Sequence, residues 1–112
     1  MSKKRYVITA STFDRKGNLL STATNDYNKS STFMAKFAKL AGEPYRIFWH
    51  AEALAVYRAL KKKQKIDSLV ITRYDSEGNP KNSKPCKVCS KIIEFFEIPN
   101  VYYSTEEGMK KL

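Results

Sequence analysis

Two short motifs constrain this chain more than any other feature of its sequence: HAE at residues 50–52 and PCKVC at residues 85–89. Their histidine and two cysteines are side chains that bind zinc. Three protein ligands with one open coordination position are typical of catalytic zinc, whereas a structural site closes with a fourth ligand. We therefore expect both motifs to meet in the folded protein, with His50, Cys86 and Cys89 as ligands of one Zn²⁺ ion.

Glu52 extends the argument from metal binding to catalysis. A structural zinc site has no use for a carboxylate two residues from a ligand, whereas water activated by zinc needs a nearby base to take its proton. We therefore expect Glu52 to transfer protons and to stay outside the coordination sphere.

Both motifs precede segments with helical periodicity. Proline suits the first turn of a helix, where its missing N–H would have no partner, so Pro85 is expected there. Apolar residues follow it at helical spacing: Val88, Ile92 and Phe95. A second helix is expected from His50 to Leu60. Helix N-termini lower the pKa of thiols, so cysteines in this position are suited to bind metal as thiolates.

Two other classes of protein remain open from the residues alone. The Cys-x-x-Cys pair also occurs in dithiol oxidoreductases and in structural zinc modules, and a basic module could bind nucleic acid. The first class gives His50 and Glu52 no role, and the second gives Glu52 none. One zinc atom retained per chain would exclude a resting dithiol enzyme, and substrate turnover would exclude a structural site.

Length and composition predict one soluble domain. The chain has 112 residues, of which 42% are hydrophobic, so a single domain over residues 1–112 is expected. No apolar run approaches the roughly 20 residues that span a bilayer, so no membrane association is expected, and the basic start lacks the apolar core of a signal peptide. We therefore expect a cytoplasmic protein with reduced cysteines.

The charge balance favours an anionic partner. The chain has 21 basic and 11 acidic residues, a formal net charge of +10, which suits a nucleotide or a nucleic acid. The densest basic run lies where the second helix should end: Lys61, Lys62, Lys63 and Lys65. Its cations have two interpretations, namely favourable interaction with the helix dipole or contact with phosphate.

The order of predicted elements is β-β-α-α-β-α-β. Strands are expected at 6–12, 19–24, 69–71 and 101–103, and the first two are joined by a turn at 14–18. A polar corner at 25–28 precedes a helix that is capped by a residue within 30–32 and ended by Gly42. Residues 75–84 form a polar loop long enough to overhang the site, and a charged tail ends the chain. The late strand–helix crossovers predict a three-layer α/β/α sandwich with a mixed sheet.

The two motifs, in this order, resemble those of the cytidine and deoxycytidylate deaminase-like superfamily, and the resemblance covers nearly the whole chain. It implies a cytidine deaminase-like fold, a Zn²⁺ cofactor, and a hydrolase that converts cytosine to uracil with release of ammonia. Adenine deamination at C6 uses the same machinery. The segments 25–29 and 103–105 also resemble small deaminase-like proteins carried by bacteriophages.

The resemblance implies roles for individual residues. His50, Cys86 and Cys89 correspond to the zinc ligands and Glu52 to the general acid and base, while Asn25 would contact a sugar and Ala51 would offer its backbone to the base. An asparagine at a strand end is by itself more often part of a turn, and Asn28 lies close by. Superfamily members often assemble, so a homo-oligomer is expected. The long insert before the second motif and the lack of a visible regulatory region argue against allosteric control.

We expect the substrate to be a deoxycytidine monophosphate-type nucleotide, with a polynucleotide as the alternative. A chain of this size has little room for a groove that follows a strand, and binders of single strands use stacking aromatic residues along such a groove. The aromatic side chains Phe48, Trp49 and Tyr74 could instead belong to the core or to a pocket wall. Against this choice, Lys81 and Lys84 could hold a strand, because the net charge exceeds what one phosphate requires.

Overall fold

The computed structural model describes residues 7–112, so the expected start of the first strand at Tyr6 lies outside the described residues. The elements, in chain order, are β1 Val7–Phe13, β2 Leu19–Thr24, β3 Asp26–Ser30, α1 Thr32–Leu40, β4 Phe48–Trp49, α2 Ala51–Lys61, β5 Ser68–Tyr74, α3 Lys87–Phe95, β6 Asn100–Thr105 and β7 Gly108–Lys111.

The main sheet has five strands in the order β2-β1-β5-β6-β7. The pair β5–β6 is parallel and the other neighbours are antiparallel, which confirms the predicted mixed sheet. The predicted charged tail is wrong, because residues 108–111 form β7 at the edge of this sheet. All four of its residues are exposed, so it lacks the alternation of apolar and polar residues that marks a half-buried strand.

Buried side chains line one face of the sheet. Ala10 of β1 pairs with Ile71 of β5, and Leu69 of β5 pairs with Val101 of β6. All four side chains are buried, while the residues between the buried positions of β1 and β5 are half-buried or exposed. This alternation is expected when one face of a sheet packs against helices and the other does not.

The helices lie on the buried face. Strands β2 and β5 both run antiparallel to β1, so α2 joins parallel strands, as α3 does between β5 and β6. Both crossovers move toward the same edge of the sheet, and right-handed crossovers in one direction place their helices on one face. Helix α1 packs on α2 and α3. The predicted α/β class is confirmed, but within residues 7–112 all three helices of the expected sandwich share one face.

Helix α1 follows the predicted signals and supports the two helices that carry the motifs. The Ser31 side chain accepts a hydrogen bond of 3.2 Å from the Met34 N–H and caps the helix. Gly42, with a φ of 75°, ends it. Phe33 stacks on Trp49 and on Phe96, so Trp49 belongs to the core. The other two aromatic residues in question are surface residues, since Phe48 is 42% and Tyr74 is 46% exposed.

The polar corner predicted at residues 25–28 is wrong. Residues 26–30 form β3, which pairs with β4 in a separate two-stranded sheet, and Asp26 pairs there with Trp49. Four of the five residues of β3 are exposed, so its sequence gives no apolar alternation. The pairing matters for the site because β4 ends next to His50, the first residue of the first motif.

The insert between β5 and the second motif is a hairpin anchored on the sheet. Its turn at residues 75–79 repeats the turn at 14–18, with the sequence pattern D-x-x-G-N in both. Asp75 Oδ1 accepts from the backbone N–H groups of Glu77 and Asn79, both at 2.9 Å, and Asp14 Oδ1 makes the equivalent bonds. Beyond the turn, Lys81 N–H donates to the Arg73 carbonyl at 2.8 Å. The expected overhanging loop is therefore tied back along β5.

The turn provides a test of how the insert is held. Asp75→Ala should lower the melting temperature by several degrees, because two backbone N–H groups lose their acceptor, whereas Glu77→Ala in the same exposed turn should change it by less than about one degree. Backbone hydrogen bonds hold the pKa of Asp75 below 3.8, so its stabilisation is present above that pH. The difference from wild type should shrink as pH falls through the pKa of the folded state. Equal effects of both substitutions would contradict this account.

Candidate active site

The structure brings the two motifs together at one metal-binding cluster. His50 Nδ1 lies 3.6 Å from Cys86 Sγ and 3.5 Å from Cys89 Sγ, and all three atoms lie within 4.8 Å of one another. At ordinary Zn–N and Zn–S bond lengths and a tetrahedral angle, a nitrogen and a sulfur ligand are separated by about 3.6 Å. The donor set therefore fits Zn²⁺ in both chemistry and spacing, with Nδ1 as the histidine donor.

The N-termini of two helices position these ligands. His50 is the N-cap of α2 and Cys86 is the N-cap of α3, and neither side chain caps its own helix, so both are directed to the cluster. Cys89 follows in the first turn of α3. The prediction that Pro85 occupies the first turn is wrong, because α3 begins at Lys87. Cys86 takes the extended conformation of a cap residue, with φ −71° and ψ 176°, and the proline precedes it.

The electrostatics of the cysteine pair favour a metal. Without one, the hydrogen bond from Cys89 and the contact with His50 lower the pKa of the Cys86 thiol to about 3. The same hydrogen bond and burial raise the pKa of Cys89. A metal that takes both sulfur atoms as thiolates must therefore displace the proton of Cys89. The positive ends of two helix dipoles assist that ionisation.

Glu52 lies beside the cluster and is not one of its three donors. It sits in the first turn of α2 and is only 6% exposed, which makes it the one buried charged residue in the described part of the chain. Burial raises the pKa of its carboxyl group, while the neighbouring His50 opposes that shift. A carboxyl group with a raised pKa holds a proton more firmly than an ordinary one, which suits a group that must both take up and release protons.

A cavity of about 650 Å³ is connected to the cluster through one of its lining residues, Tyr27. Tyr27 lies between the two, because it lines the cavity and its ring stands edge-on to the His50 ring with centroids 5.6 Å apart. Burial, followed by the negative charges of Glu52 and Cys89, raises the pKa of Tyr27, which also reflects its closeness to the site. Arg73 lines the same cavity. Sequence reasoning missed both residues.

Asn25 and Ala51, expected to contact substrate, are both near the site. Asn25 lines the cavity, and its Oδ1 accepts a hydrogen bond of 3.1 Å from the Ile8 N–H. The alternative, Asn28, also lines the cavity, from the exposed surface of β3. Ala51 is fully buried and is the first residue of α2, between His50 and Glu52. Because its N–H is in the first helical turn, the helix provides no acceptor for it.

The basic run at residues 61–65 lies away from the cluster. It is at the C-terminal end of α2, an 11-residue helix about 16 Å long, and the metal ligands are at the other end. Lys62 Nζ donates to the Leu20 carbonyl at 3.0 Å, and Arg58 donates to the Thr22 carbonyl at 2.8 Å. These bonds tie α2 to the outer edge of β2. The structure thus gives Lys62 a local role unrelated to a ligand in the site.

Comparison with known proteins agrees with the geometry. The sequence model of the cytidine and deoxycytidylate deaminase zinc-binding region matches residues 2–105. Among solved structures, the fold is similar to that of cytidine deaminase from Mycobacterium leprae, with a TM-score of 0.57 and 16% sequence identity, over 96% of this chain and 75% of that one. A search of curated proteins finds no significant match.

Within residues 7–112, no helix is both long and apolar enough to cross a membrane.

The sequence match extends over most of the chain and includes both motifs, and the structure places the histidine and two cysteines where they can hold one metal ion. The chain therefore belongs to the cytidine and deoxycytidylate deaminase family that carries this zinc-binding region.

Proposed function

We propose that residues 1–112 form a single zinc-dependent deaminase domain that hydrolyses the amino group of cytosine in a (deoxy)cytidine nucleotide or nucleoside, with a deoxycytidine monophosphate-type compound as the favoured substrate. The products are the uracil compound and ammonia. The observation that carries this proposal is the buried Glu52 carboxyl group beside three metal donors. Neither a structural zinc module nor a dithiol oxidoreductase needs that carboxyl group. A dithiol oxidoreductase has no use for His50 either.

The proposed chemistry divides between the metal and Glu52. When bound by His50, Cys86 and Cys89, zinc supplies a Lewis acid that makes water acidic enough to act as a nucleophile near neutral pH. Glu52 takes a proton from the water molecule as the water oxygen forms a bond with C4 of the cytosine ring. Glu52 then passes this proton to N3, takes up the remaining proton of the new C4 hydroxyl group and delivers it to the amino nitrogen, so that the C4–N4 bond breaks, the C4 carbonyl forms and ammonia leaves. Ala51 N–H would orient the base.

The environment of Glu52 suits this sequence of proton transfers. Its burial raises the pKa of the carboxyl group, which brings the proton affinity of the carboxylate closer to that of the groups it serves. Burial also limits the access of bulk water, so protons exchange between Glu52 and the substrate. The position of Glu52 in the first turn of α2 keeps it next to His50 without making it a ligand.

A polynucleotide is the second candidate substrate, and the surface around the site gives it specific support. Tyr27 and Phe48, on the small β3–β4 sheet, are 51% and 42% exposed. Tyr45, which precedes β4 in the chain, is 69% exposed. Exposed aromatic rings with nearby cations are what a single strand requires. In either case the domain would serve nucleotide chemistry in the cytoplasm, and a homo-oligomer remains a prediction.

The first prediction concerns proton transfer. Glu52→Gln should lower kcat by about 10²–10⁴-fold or more, because the amide cannot take up the proton, while zinc content stays near one per chain and the melting temperature changes little. Glu94→Gln, an exposed glutamate on α3, is the control and should keep wild-type activity. Activity and zinc are measured on the same preparations by ammonia release and metal analysis. A Glu52→Gln enzyme that loses its zinc, or that keeps near wild-type turnover, contradicts the assigned role.

The second prediction concerns the metal ligands. Cys89→Ala should weaken zinc binding by more than the roughly 10–100-fold cost of removing a group that merely orients a ligand. A chelator should lower the melting temperature of the wild type and leave that of Cys89→Ala nearly unchanged, because metal binding and folding are linked. Ser90→Ala, the next residue of α3, serves as control and should behave as wild type. Full zinc affinity in Cys89→Ala would refute its role as ligand.

The third prediction separates the two substrate classes by salt. With a mononucleotide few charges are neutralised, so the apparent affinity should fall only mildly between roughly 50 and 200 mM salt, whereas six or more phosphate contacts would cost about a thousandfold. The measurement is kcat/KM for deoxycytidine monophosphate and for a cytosine-containing oligonucleotide across this range. Efficient turnover of the oligonucleotide with a steep salt slope, and none of the mononucleotide, would establish the second candidate instead.

A further inference from the structure

The parallel strands β5 and β6 separate at their carboxyl ends. Their pairing ends at Ile71 and Tyr103, although β5 continues to Tyr74 and β6 to Thr105. Residues 81–84 of the insert lie between the separated ends and form hydrogen bonds with both strands. Backbone groups of the two strands that no longer reach each other must find their partners in the insert or in side chains.

Two buried serine hydroxyl groups, those of Ser83 in the insert and Ser104 on β6, take the place of the missing bonds between the strands. Ser83 Oγ donates to the Ile71 carbonyl at 3.0 Å and accepts from Ser104 N–H at 2.8 Å. Ser104 Oγ donates to the Lys81 carbonyl at 2.8 Å and accepts from Arg73 N–H at 2.9 Å. The two hydroxyl oxygens are 2.9 Å apart. This serine pair therefore joins β5, β6 and the insert in one buried network.

The segment after Ser83 has little freedom before it reaches the metal cluster. Cys86 follows only three residues later, and the residues between them belong to neither a helix nor a strand. Pro85 is buried, its ring fixes its own φ, and it restricts Lys84 to extended conformations. Ser83 itself is held by its side chain and by its N–H, which donates to the Ser104 carbonyl at 2.9 Å. The position of Cys86 therefore depends on the serine pair as well as on the packing of α3.

From this geometry we propose that Ser83 and Ser104 are positioning residues of the metal site, which hold Cys86 at the distance from His50 that a metal ion requires. That distance is 3.6 Å between Cys86 Sγ and His50 Nδ1. Neither serine is one of the three donors, so each acts through the segment that it holds. The inference rests on the proposed function only for the identity of the metal site, and it is independent of the substrate. Groups that orient metal ligands typically contribute about 10–100-fold to metal affinity.

A second pair of buried hydroxyl groups in the same sheet provides a matched control. Thr12 on β1 and Ser21 on β2 form a hydrogen bond with each other, and Ser21 Oγ also donates to the Ala55 carbonyl of α2 at 2.6 Å. Ser21 lies two strands away from β5 and is not part of the insert. Ser21→Ala therefore removes a comparable buried hydrogen bond, which should lower the melting temperature without displacing Cys86.

The test measures metal affinity without substrate. Ser83→Ala and Ser104→Ala should each weaken zinc binding by about 10–100-fold in competition with a chromophoric chelator, at a temperature well below every melting transition. Ser21→Ala should leave the zinc affinity at its wild-type value. Ser83→Thr keeps the hydroxyl group and should restore most of the affinity. With Co²⁺ in place of zinc, the visible spectrum, which reports the arrangement of the thiolate ligands, should change in Ser83→Ala and stay the same in Ser21→Ala.

Two results would overturn the proposal: unchanged zinc affinity in both serine-pair variants, or losses that simply follow the melting temperature in all variants, Ser21→Ala included. If an alanine variant does not fold, Pro85→Ala still decides. It removes no hydrogen bond but loosens the segment between Ser83 and Cys86, so it should weaken zinc binding by at least about tenfold, and wild-type affinity would refute the positioning role. Because no turnover is measured, the outcome is separate from that of the deaminase proposal.

Discussion

The meeting of two helix N-termini is the interaction on which the site depends. Residues 50 and 86 each precede a helix as its cap, and each turns its side chain away from that helix toward a common point. Burial of two thiolates and an imidazole in a low-dielectric interior would cost free energy if these groups had no partners. Two positive helix ends and a metal compensate for that cost together. The sheet contributes to this geometry, because α2 and α3 both lie in connections between parallel strands that move toward the same edge of the sheet.

The zinc ligands could be predicted from the sequence, whereas the exposed strands at the edges of the fold could not. His50, Cys86 and Cys89 belong to side-chain classes that bind zinc, and their spacing limits the chemistry before any fold is known. Buried strands such as β5 also leave a clear apolar signal. Strands β3 and β7 are exposed along nearly their whole length, so their sequences resemble loops, and only pairing with a neighbour makes them strands.

The residues that shape the cavity were missed for a related reason. Arg73 is one of 21 basic residues, and nothing in its local sequence sets it apart from the others until the hairpin after β5 is seen to hold it. Tyr27 lies in a polar segment whose strand character was itself missed. The repeated D-x-x-G-N pattern, by contrast, is a signal visible in the sequence. Because the first copy lies between two strands, the second copy could have predicted that the insert forms a hairpin and not an open loop.

The cations that tie α2 to the edge of β2 have a consequence for aggregation. An edge strand normally offers a row of unpaired carbonyl and N–H groups to any extended chain that meets it. Here Arg58 and Lys62 occupy the carbonyls of Thr22 and Leu20, and their charges would have to be buried before a new strand could dock. The opposite border of the sheet, β7, carries lysines as well. Charge at both borders of the sheet therefore disfavours the addition of a further strand at either edge.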